Sequence, residues 1–331
     1  KIVDNKEIYS RIWLNLFNIF KPYIESVKKD IPLEPYYVIP RKESNKAQDV
    51  SPDKEVLSYL LRSRETLEKT RGNNVISVVR APAGVGKTTL ARQIASEIAT
   101  KVLDRSAQTI PVFIEAEHWS QLKLESASNF WEIIDNSIRV YSQRNFIPEE
   151  RFIHYLRQGY FALIFDGFDE LCSYRQSSFT PLDLLVSLSS ITQDSFAKIA
   201  ITTRTAFWQS EVGSSGSDVR IIDIAPFNVQ QAKGYFDKYF RTDLKKRDRA
   251  ITIYKKLEKS NLPPEKGGAH TKLVNLPLVV SMIADYVKRG GTDIEAKDNW
   301  TITNVIIQIC DRERKRRSLE TTAQDQLNAL E

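Results

Sequence analysis

Apolar residues follow a helical spacing in the first part of the chain. Between residues 1 and 70 they recur every three to four positions, which predicts amphipathic helices. A proline-rich patch at residues 31–40 ends the first helix and leaves room for one short strand, and a second helix is expected from Pro52 to Lys69. The predicted buried face of the first helix consists of Ile8, Ile12, Leu16 and Ile19, widened by Trp13 and Phe17.

From residue 74 the pattern changes to short apolar runs separated by helix-like stretches. The runs are rich in β-branched residues, which favours buried strands. Strands separated by helices of this length are typical of an α/β fold, a parallel sheet with helices on both faces. The predicted strands are 74–80, 109–115, 160–165, 197–202 and 219–224, and the helices between them are 88–101, 130–141 and 182–188.

After residue 228 the strands stop and only helical spacing is left. We therefore expect a small all-α subdomain after the sheet, with helices at 229–240, 244–258, 270–288 and 303–316. The chain begins with Lys and ends inside a helical stretch, so we expect a segment of a longer protein. The predicted parts are a helical segment and linker at 1–70, the α/β part at 71–224 and the helical part at 225–331.

The turn after the first predicted strand has the pattern of a phosphate-binding loop. Residues 81–88 read APAGVGKT, which fits G-x-x-x-x-G-K-[ST] except that Ala81 replaces the first glycine. The glycines let backbone amides point at a phosphate, Lys87 would reach the β- and γ-phosphates, and the Thr88 hydroxyl would bind Mg²⁺. ATP or ADP with Mg²⁺ is the predicted ligand. The predicted nucleotide-binding residues are Ala81, Pro82, Ala83, Gly84, Val85, Gly86, Lys87, Thr88 and Thr89.

Acidic residues follow the apolar strand near residue 165, where the sequence reads ALIFDGFDEL. Asp166 ends the strand, at the edge where open α/β sheets bind ligands, so it is the predicted partner of Thr88 in holding Mg²⁺. Asp169 and Glu170 come one turn later and are predicted to orient or deprotonate the attacking water. The alternative for these two acids is that they cap the next helix.

The next strand ends in Thr202, Thr203 and Arg204. An arginine at this edge of the sheet would lie near the γ-phosphate and stabilise charge on the transferred phosphoryl group. Arg204 is therefore the third predicted catalytic residue. The alternative is a surface arginine that pairs with an acid.

These motifs together resemble the NACHT family of signal-transduction P-loop NTPases. The resemblance is carried by APAGVGKTTL, LIFDGFDEL and ITTR, and it extends to IAPFNVQQAKGYF and NLPLVVSMI in the helical part, so that it covers roughly residues 36–317. The string DGFDEL best distinguishes the NACHT family from its relatives, because related plant-type NB-ARC switches usually have paired aspartates there. By this likeness Pro277 would rest against the adenine, the alternative being a proline at a corner between helices.

The resemblance implies a switch in which the nucleotide state controls assembly. Such proteins have an effector domain first, the switch in the middle and a sensor domain last. In bacteria they resemble anti-phage defence proteins of an NLR-like family. It implies slow ATP hydrolysis, a homo-oligomer on activation, and a trigger such as a phage protein or nucleic acid sensed by a later region. The winged-helix unit and its ADP-contacting histidine would follow Glu331.

Two other functions are compatible with a phosphate loop. A kinase for a small molecule or nucleic acid needs an acceptor site and a lid with arginines, and none is evident between residues 204 and 228. An AAA-type motor needs an arginine finger and substrate loops, and the basic runs are its only support. Turnover measured with and without nucleic acid would separate these possibilities.

Composition and charge add three expectations. Cys172 and Cys310 form neither a metal motif nor a disulfide framework, which favours reduced thiols and a cytoplasmic location. No apolar run is long enough to cross a membrane. The net charge of +6 is concentrated in runs at 245–249 and 312–317, which we interpret as solvated helix faces rather than a nucleic-acid or lipid site.

Overall fold

The computed structural model describes residues 5–35, 37–42, 50–63, 66, 76–116, 130–142, 147–173, 181–213, 219–259 and 273–289. Several predicted features lie outside the described residues. They are the helix at 303–316, the basic run at 312–317, Cys310 and residues 64–65 and 67–69 of the second predicted helix. The prediction of one helix from Pro52 to Lys69 is wrong, because the helix ends at Leu60 and residues 61–63 are not helical.

A six-stranded sheet forms the centre of the α/β part. Its spatial order is β1-β6-β2-β5-β4-β3; β6, β2, β5, β4 and β3 run parallel, and β1 pairs antiparallel with β6 at one edge. β3, the strand that follows the phosphate loop in sequence, is thus not a neighbour of β2, because β5 and β4 lie between them. The strands are β1 (Arg41–Lys42), β2 (Ile76–Ala81), β3 (Ile110–Glu115), β4 (Phe161–Asp166), β5 (Lys198–Arg204) and β6 (Val219–Ala225).

Helices cover both faces of this sheet, as the sequence predicted. Strands β2 to β5 are almost fully buried, because each is an apolar run with a helix on either side. The helices of this part are α1 (Asn5–Asp30), α2 (Pro52–Leu60), α3 (Lys87–Leu103), α4 (Phe130–Tyr141), α5 (Glu149–Arg157), α6 (Phe168–Ser173), α7 (Pro181–Thr192) and α8 (Thr205–Phe207), which continues as a π-helical turn at Trp208–Val212. Helices α5, α6 and α8 were not among the predicted helices.

The buried face of α1 agrees with the prediction at Trp13, Leu16 and Phe17 but differs at the other positions. Ile8 and Ile19 are 44% and 40% exposed, and Ile12 is only half-buried. The helix instead turns its larger, mostly aromatic stripe inward, because that stripe removes more apolar area from water. The stripe comprises Trp13, Leu16, Phe17, Phe20, Tyr23, Ile24 and Val27.

The first helix is tied to the sheet by aromatic contacts. The ring of Tyr9 stacks on Tyr160 at 4.4 Å between centroids, and the Tyr23 hydroxyl accepts a hydrogen bond from the Phe113 backbone N–H at 3.0 Å. Residues 1–34, 39–83 and 87–225 accordingly form one compact unit. That residues 1–70 connect to an upstream effector stays a prediction.

The helices after the sheet form a second unit with its own core. It comprises residues 35–38, 84–86 and 226–331 and contains α9 (Val229–Tyr239), α10 (Leu244–Lys259) and α11 (Pro277–Lys288). Asn228 begins α9 with a capping box shared with Gln231. The core is made by apolar side chains of all three helices, among them Phe236, Tyr254 and Ile283.

The single helix predicted at 270–288 is wrong in its first part. A 3₁₀ turn occupies Leu273–Asn275, and α11 starts only at Pro277. Proline disfavours the helical conformation of the residue before it, and Leu276 is indeed extended with φ −68° and ψ 128°. Pro277 therefore sits at the first position of α11, where its missing N–H costs nothing.

Among the described residues, no helix combines the length and the apolar character needed to cross a membrane.

Candidate functional site

The phosphate-binding loop joins β2 to α3. Gly84 and Gly86 have positive φ values of 75° and 97°, a backbone conformation that residues with a Cβ rarely adopt. Ala81, which replaces the first glycine of the motif, is the last residue of β2 and is 1% exposed, so that a methyl group is accommodated there. Of the other predicted loop residues, Val85 is buried, Pro82 and Ala83 are exposed, and Thr89 is half-buried in the first turn of α3.

Lys87 is the first residue of α3, and its side chain folds back over the loop. The Nζ atom donates hydrogen bonds to the carbonyl oxygens of Ala81 and Pro82, both at 3.0 Å. Burial lowers the pKa of Lys87, while the nearby carboxylate of Asp169 opposes this shift. Lys87 is thus a cation held at the mouth of the loop by two carbonyl groups.

The Asp166 carboxylate is hydrogen-bonded to two threonine side chains, Thr202 and Thr88. The Thr202 hydroxyl donates a hydrogen bond to Asp166 Oδ1 at 2.6 Å, and the Thr88 side chain also bonds to this carboxylate. Burial raises the pKa of Asp166 to about 6, although both hydrogen bonds favour its charged form. The Gly167 N–H donates to Thr202 Oγ1 at 3.0 Å, which fixes the hydroxyl in turn. A carboxylate and a hydroxyl are hard oxygen donors, so Asp166 and Thr88 fit Mg²⁺.

Arg204 lies against the two acids of the first turn of α6. Its backbone N–H donates to Asp169 Oδ1 at 3.1 Å, and its Nε lies 2.9 Å from Asp169 Oδ2. A second guanidinium nitrogen is 3.5 Å from Glu170 Oε1. The Asp169 side chain is only 8% exposed, whereas those of Glu170 and Arg204 are 40% and 46% exposed. The structure therefore places all three predicted catalytic residues in one cluster.

Thr202 and Glu115 were not among the predicted site residues. The sequence predicted only that a threonine at this strand end could lie near the γ-phosphate and did not distinguish Thr202 from Thr203. Because side chains alternate along a strand, Thr202 faces Asp166 while Thr203 points the other way. Glu115 ends β3 in register with Asp166 and is 3% exposed. Its carboxylate accepts from Arg92 at 2.7 Å and from the Tyr141 hydroxyl at 2.8 Å. An acid that closes an otherwise apolar strand was the signal that could have identified it.

Pro277 belongs to the second unit, at the start of α11, and is half-buried. In the same unit, the N–H of the next residue, Leu278, donates to the Gly84 carbonyl at 3.2 Å. A Cβ on Gly84 would come within 3.3 Å of the Leu278 Cβ, so the glycine also serves this close approach. The contact of Pro277 with adenine stays a prediction.

A sequence model of the NACHT domain matches residues 76–243 of the chain, which is half of its length. The match covers the phosphate loop, the acidic strand end and Arg204. No curated protein matches the chain in sequence.

Several solved structures are similar in fold. The Thermotoga maritima RuvB Holliday junction branch migration motor is 18% identical with a TM-score of 0.39, over 73% of this chain and 63% of that one. The Aeropyrum pernix ORC2 protein, in ADPNP-ADP complexes, is 11% identical with a TM-score of 0.39, over 74% and 70%. C. elegans PCH-2 is 14% identical with a TM-score of 0.38, over 79% and 73%. The chain thus spans less than two thirds of the RuvB motor, and these likenesses concern the fold alone.

Proposed function

Because the chain belongs to the NACHT family of P-loop NTPases, we propose that it binds ATP with Mg²⁺ and hydrolyses it slowly as a molecular switch. The observation that supports this most directly is the convergence of Lys87, Asp166 and Arg204 at the carboxyl ends of three adjacent strands, with Thr88 and Asp169 bonded to them. A phosphate loop, a metal-binding acid and a charge-sensing arginine are the parts that phosphoryl transfer requires.

ATP binding would rest on the loop and on Lys87. The backbone amides of residues 82–87 would surround the phosphates, and the start of α3 would add its positive helix end. Lys87 Nζ would exchange its hydrogen bonds to the two carbonyl groups for charge-assisted ones to phosphate oxygens. The same lysine therefore favours an anion at the mouth of the loop.

Asp166 and Thr88 would hold the metal ion, which neutralises charge on the phosphates when bound. Thr202 would keep the Asp166 carboxylate oriented, because its hydroxyl is itself fixed by Gly167. Asp169 and Glu170 would orient the attacking water or accept its proton. Glu170 is the more exposed of the two and is the better placed to reach a water molecule.

Arg204 would report the γ-phosphate. In the structure the guanidinium group pairs with Asp169 and Glu170. A γ-phosphate would compete with these carboxylates for the same cation and so release Glu170 for catalysis. After hydrolysis and phosphate loss the ion pairs would form again. ATP then shifts the equilibrium between two conformations to the extent that it binds one of them better than the other.

The test compares ATP and ADP in one sample. One label would be attached in the α/β part and one in the helical part of a longer protein, and the distance between them measured with an ATP analogue and with ADP. We expect a nucleotide-dependent distance together with slow turnover that nucleic acid does not accelerate. An unchanged distance with fast turnover would instead favour a conventional enzyme, and acceleration by nucleic acid a motor.

The wider role is proposed from the family resemblance. Nucleotide exchange would drive homo-oligomerisation and activate an effector, in bacterial anti-phage immunity, in the cytoplasm, after a trigger such as a phage protein or nucleic acid has been sensed. The mass of the longer protein in solution, measured with ATP analogue and with ADP, tests the first step. The same mass in both states would refute control of assembly by the nucleotide.

A further inference from the structure

Two buried acids lie side by side at the carboxyl ends of adjacent strands. Glu115 of β3 and Asp166 of β4 are register partners, so their side chains project from the same face of the sheet. They are 3% and 7% exposed. Two carboxylates this close repel each other where water screens them little, so each of them needs partners of its own.

Helix α3 supplies one partner to each acid from successive turns. The Thr88 side chain bonds to Asp166, and the Arg92 guanidinium contacts Glu115 Oε1 through Nε at 2.7 Å and through a terminal nitrogen at 2.6 Å. Residues four positions apart lie on the same face of a helix, one above the other. The two contacts therefore fix the start of α3 against the ends of β3 and β4 at two points along its length.

Glu115 is also held by a third element. The hydroxyl of Tyr141, the last residue of α4, donates to Glu115 Oε2 at 2.8 Å, so the two carboxylate oxygens have different partners. The next residue, Ala116, bounds the acidic turn, because a Cβ at Gly167 would come within 3.0 Å of the Ala116 Cβ. The end of β3 is therefore in contact with both α3 and the turn that follows Asp166.

We propose that Glu115 is a positioning residue of the metal site and acts through Arg92. Their ion pair holds α3 where Thr88 meets Asp166, the two residues proposed to hold Mg²⁺. Glu115 does this without touching the metal or the nucleotide, since its carboxylate oxygens contact Arg92 and Tyr141. The inference rests on the proposed function, because it assigns a role in orienting the same Mg²⁺ ligands.

The test breaks the ion pair from each side. Glu115→Gln removes a negative charge and Arg92→Gln a positive one, while both disrupt the same contact. The ratio of the ATP dissociation constants without and with Mg²⁺, obtained by calorimetric titration, measures the contribution of the metal and needs no turnover. The Arg92 side chain is 20% exposed, so its replacement disturbs the core less than that of Glu115.

Glu55→Gln is the matched control. The Glu55 side chain is 8% exposed and pairs with Lys42 and Arg220, both at 2.5 Å. Arg220 is the register partner of Ser77, near the beginnings of β6 and β2, and so lies at the opposite edge of the sheet from the phosphate loop. Glu55→Gln should lower the free energy of unfolding, as Glu115→Gln should, but leave the Mg²⁺ ratio at the parent value. Denaturant unfolding of every variant measures the stability and confirms that the titrated protein is folded.

Both variants of the pair should reduce the Mg²⁺ ratio by about 10- to 100-fold, the usual effect of losing a group that orients a metal ligand. The double variant Arg92→Gln/Glu115→Gln should lose no more than either single variant, because the same contact is broken in all three. Changes of opposite sign in the two single variants would show an effect of charge alone and overturn the proposal.

The outcome also separates this inference from the proposed function. A parent protein whose ATP affinity does not increase with Mg²⁺ would refute both. A parent with such an increase, together with ratios for Glu115→Gln and Arg92→Gln equal to that of Glu55→Gln, would show a purely structural role and refute the positioning role alone.

Discussion

Both side-chain oxygens of Asp169 contact Arg204: Oδ1 accepts a hydrogen bond from its backbone N–H at 3.1 Å, and Oδ2 forms an ion pair with its Nε at 2.9 Å. The two residues are separated by a helix and a strand in sequence, yet each helps to fix the other. Because the backbone bond holds the end of β5 itself, Asp169 connects the acidic turn to the strand that carries the arginine. Glu170, at 3.5 Å from the same guanidinium group, is held less closely.

Neutralising Glu170 alone and neutralising Asp169 alone should therefore have different effects on the protein. Glu170→Gln should slow hydrolysis by about 10²- to 10⁴-fold, the usual contribution of a general base, while ATP stays bound. Asp169→Asn should mainly alter the ratio of the affinities for ATP and ADP, because it removes the ion pair that Arg204 forms with Asp169. Turnover and the two affinities are the measurements. A double variant that hydrolyses ATP at the parent rate would show that neither acid orients the water.

Replacing Lys87 by Ala should weaken ATP binding without unfolding the protein. Losing a charge-assisted contact to the phosphates should cost about 1.5–3 kcal/mol, a loss of roughly 10- to 100-fold in affinity. Calorimetric titration with ATP measures this. The control is Lys101→Ala, at the last turn of the same helix α3. Equal affinities of the two variants would contradict the assignment of the loop.

The Thr88→Ala variant should act on the metal rather than on the phosphates. Its hydroxyl bonds to Asp166, and both groups are proposed to hold Mg²⁺. We expect the gain in ATP affinity on adding Mg²⁺ to shrink, whereas affinity without Mg²⁺ should change little. A titration with and without the metal tests this, and an unchanged gain would remove Thr88 from the site.

Nucleotide binding should depend on pH through Asp166. Since burial raises the pKa of Asp166 to about 6, the carboxylate is ionised above this pH and protonated below it. The Mg²⁺-dependent part of ATP affinity should therefore fall as pH drops from 7 to 5. Asp166→Asn should bind weakly at both pH values and show no such decline. A decline of equal size in this variant would assign the effect to another group.

Lys198 should make the stability of the protein depend on pH. It is 2% exposed, donates to Thr109 Oγ1 at 2.7 Å, and burial lowers its pKa to about 7. Between pH 7 and 10 the unfolded chain keeps this proton and the folded one releases it, so the free energy of unfolding rises by about 1.4 kcal/mol per pH unit from this group.

The variant Lys198→Met should lose this contribution. Its free energy of unfolding should exceed that of the parent at pH 7, and this difference should shrink as the pH rises to 9. Denaturant unfolding at both pH values measures it. Lys54→Met, an exposed lysine on α2, is the control and should keep the parent slope. A parallel slope for Lys198→Met and the parent would show that the folded protein keeps this lysine charged.

The sequence by itself determined the features that depend on residues close together in the chain. A phosphate loop needs its glycines and its lysine at fixed spacing within eight residues, so APAGVGKT could be recognised directly, and the alternation of apolar strands and helices predicted the α/β class. The effect of Pro277 is also local, yet the helix was predicted through it, from 270 to 288, whereas α11 begins only at this proline.

Only the tertiary structure decided which distant side chains meet. Strand order places β5 between β2 and β4, and this is why the Thr202 hydroxyl reaches Asp166 and Arg204 reaches Asp169. Spacing along the chain contains no information on that order, because it depends on how all the strands and helices pack together. The same holds for α1, whose predicted face included Ile8 and Ile19, which are exposed, as well as Trp13 and Phe17, which are buried.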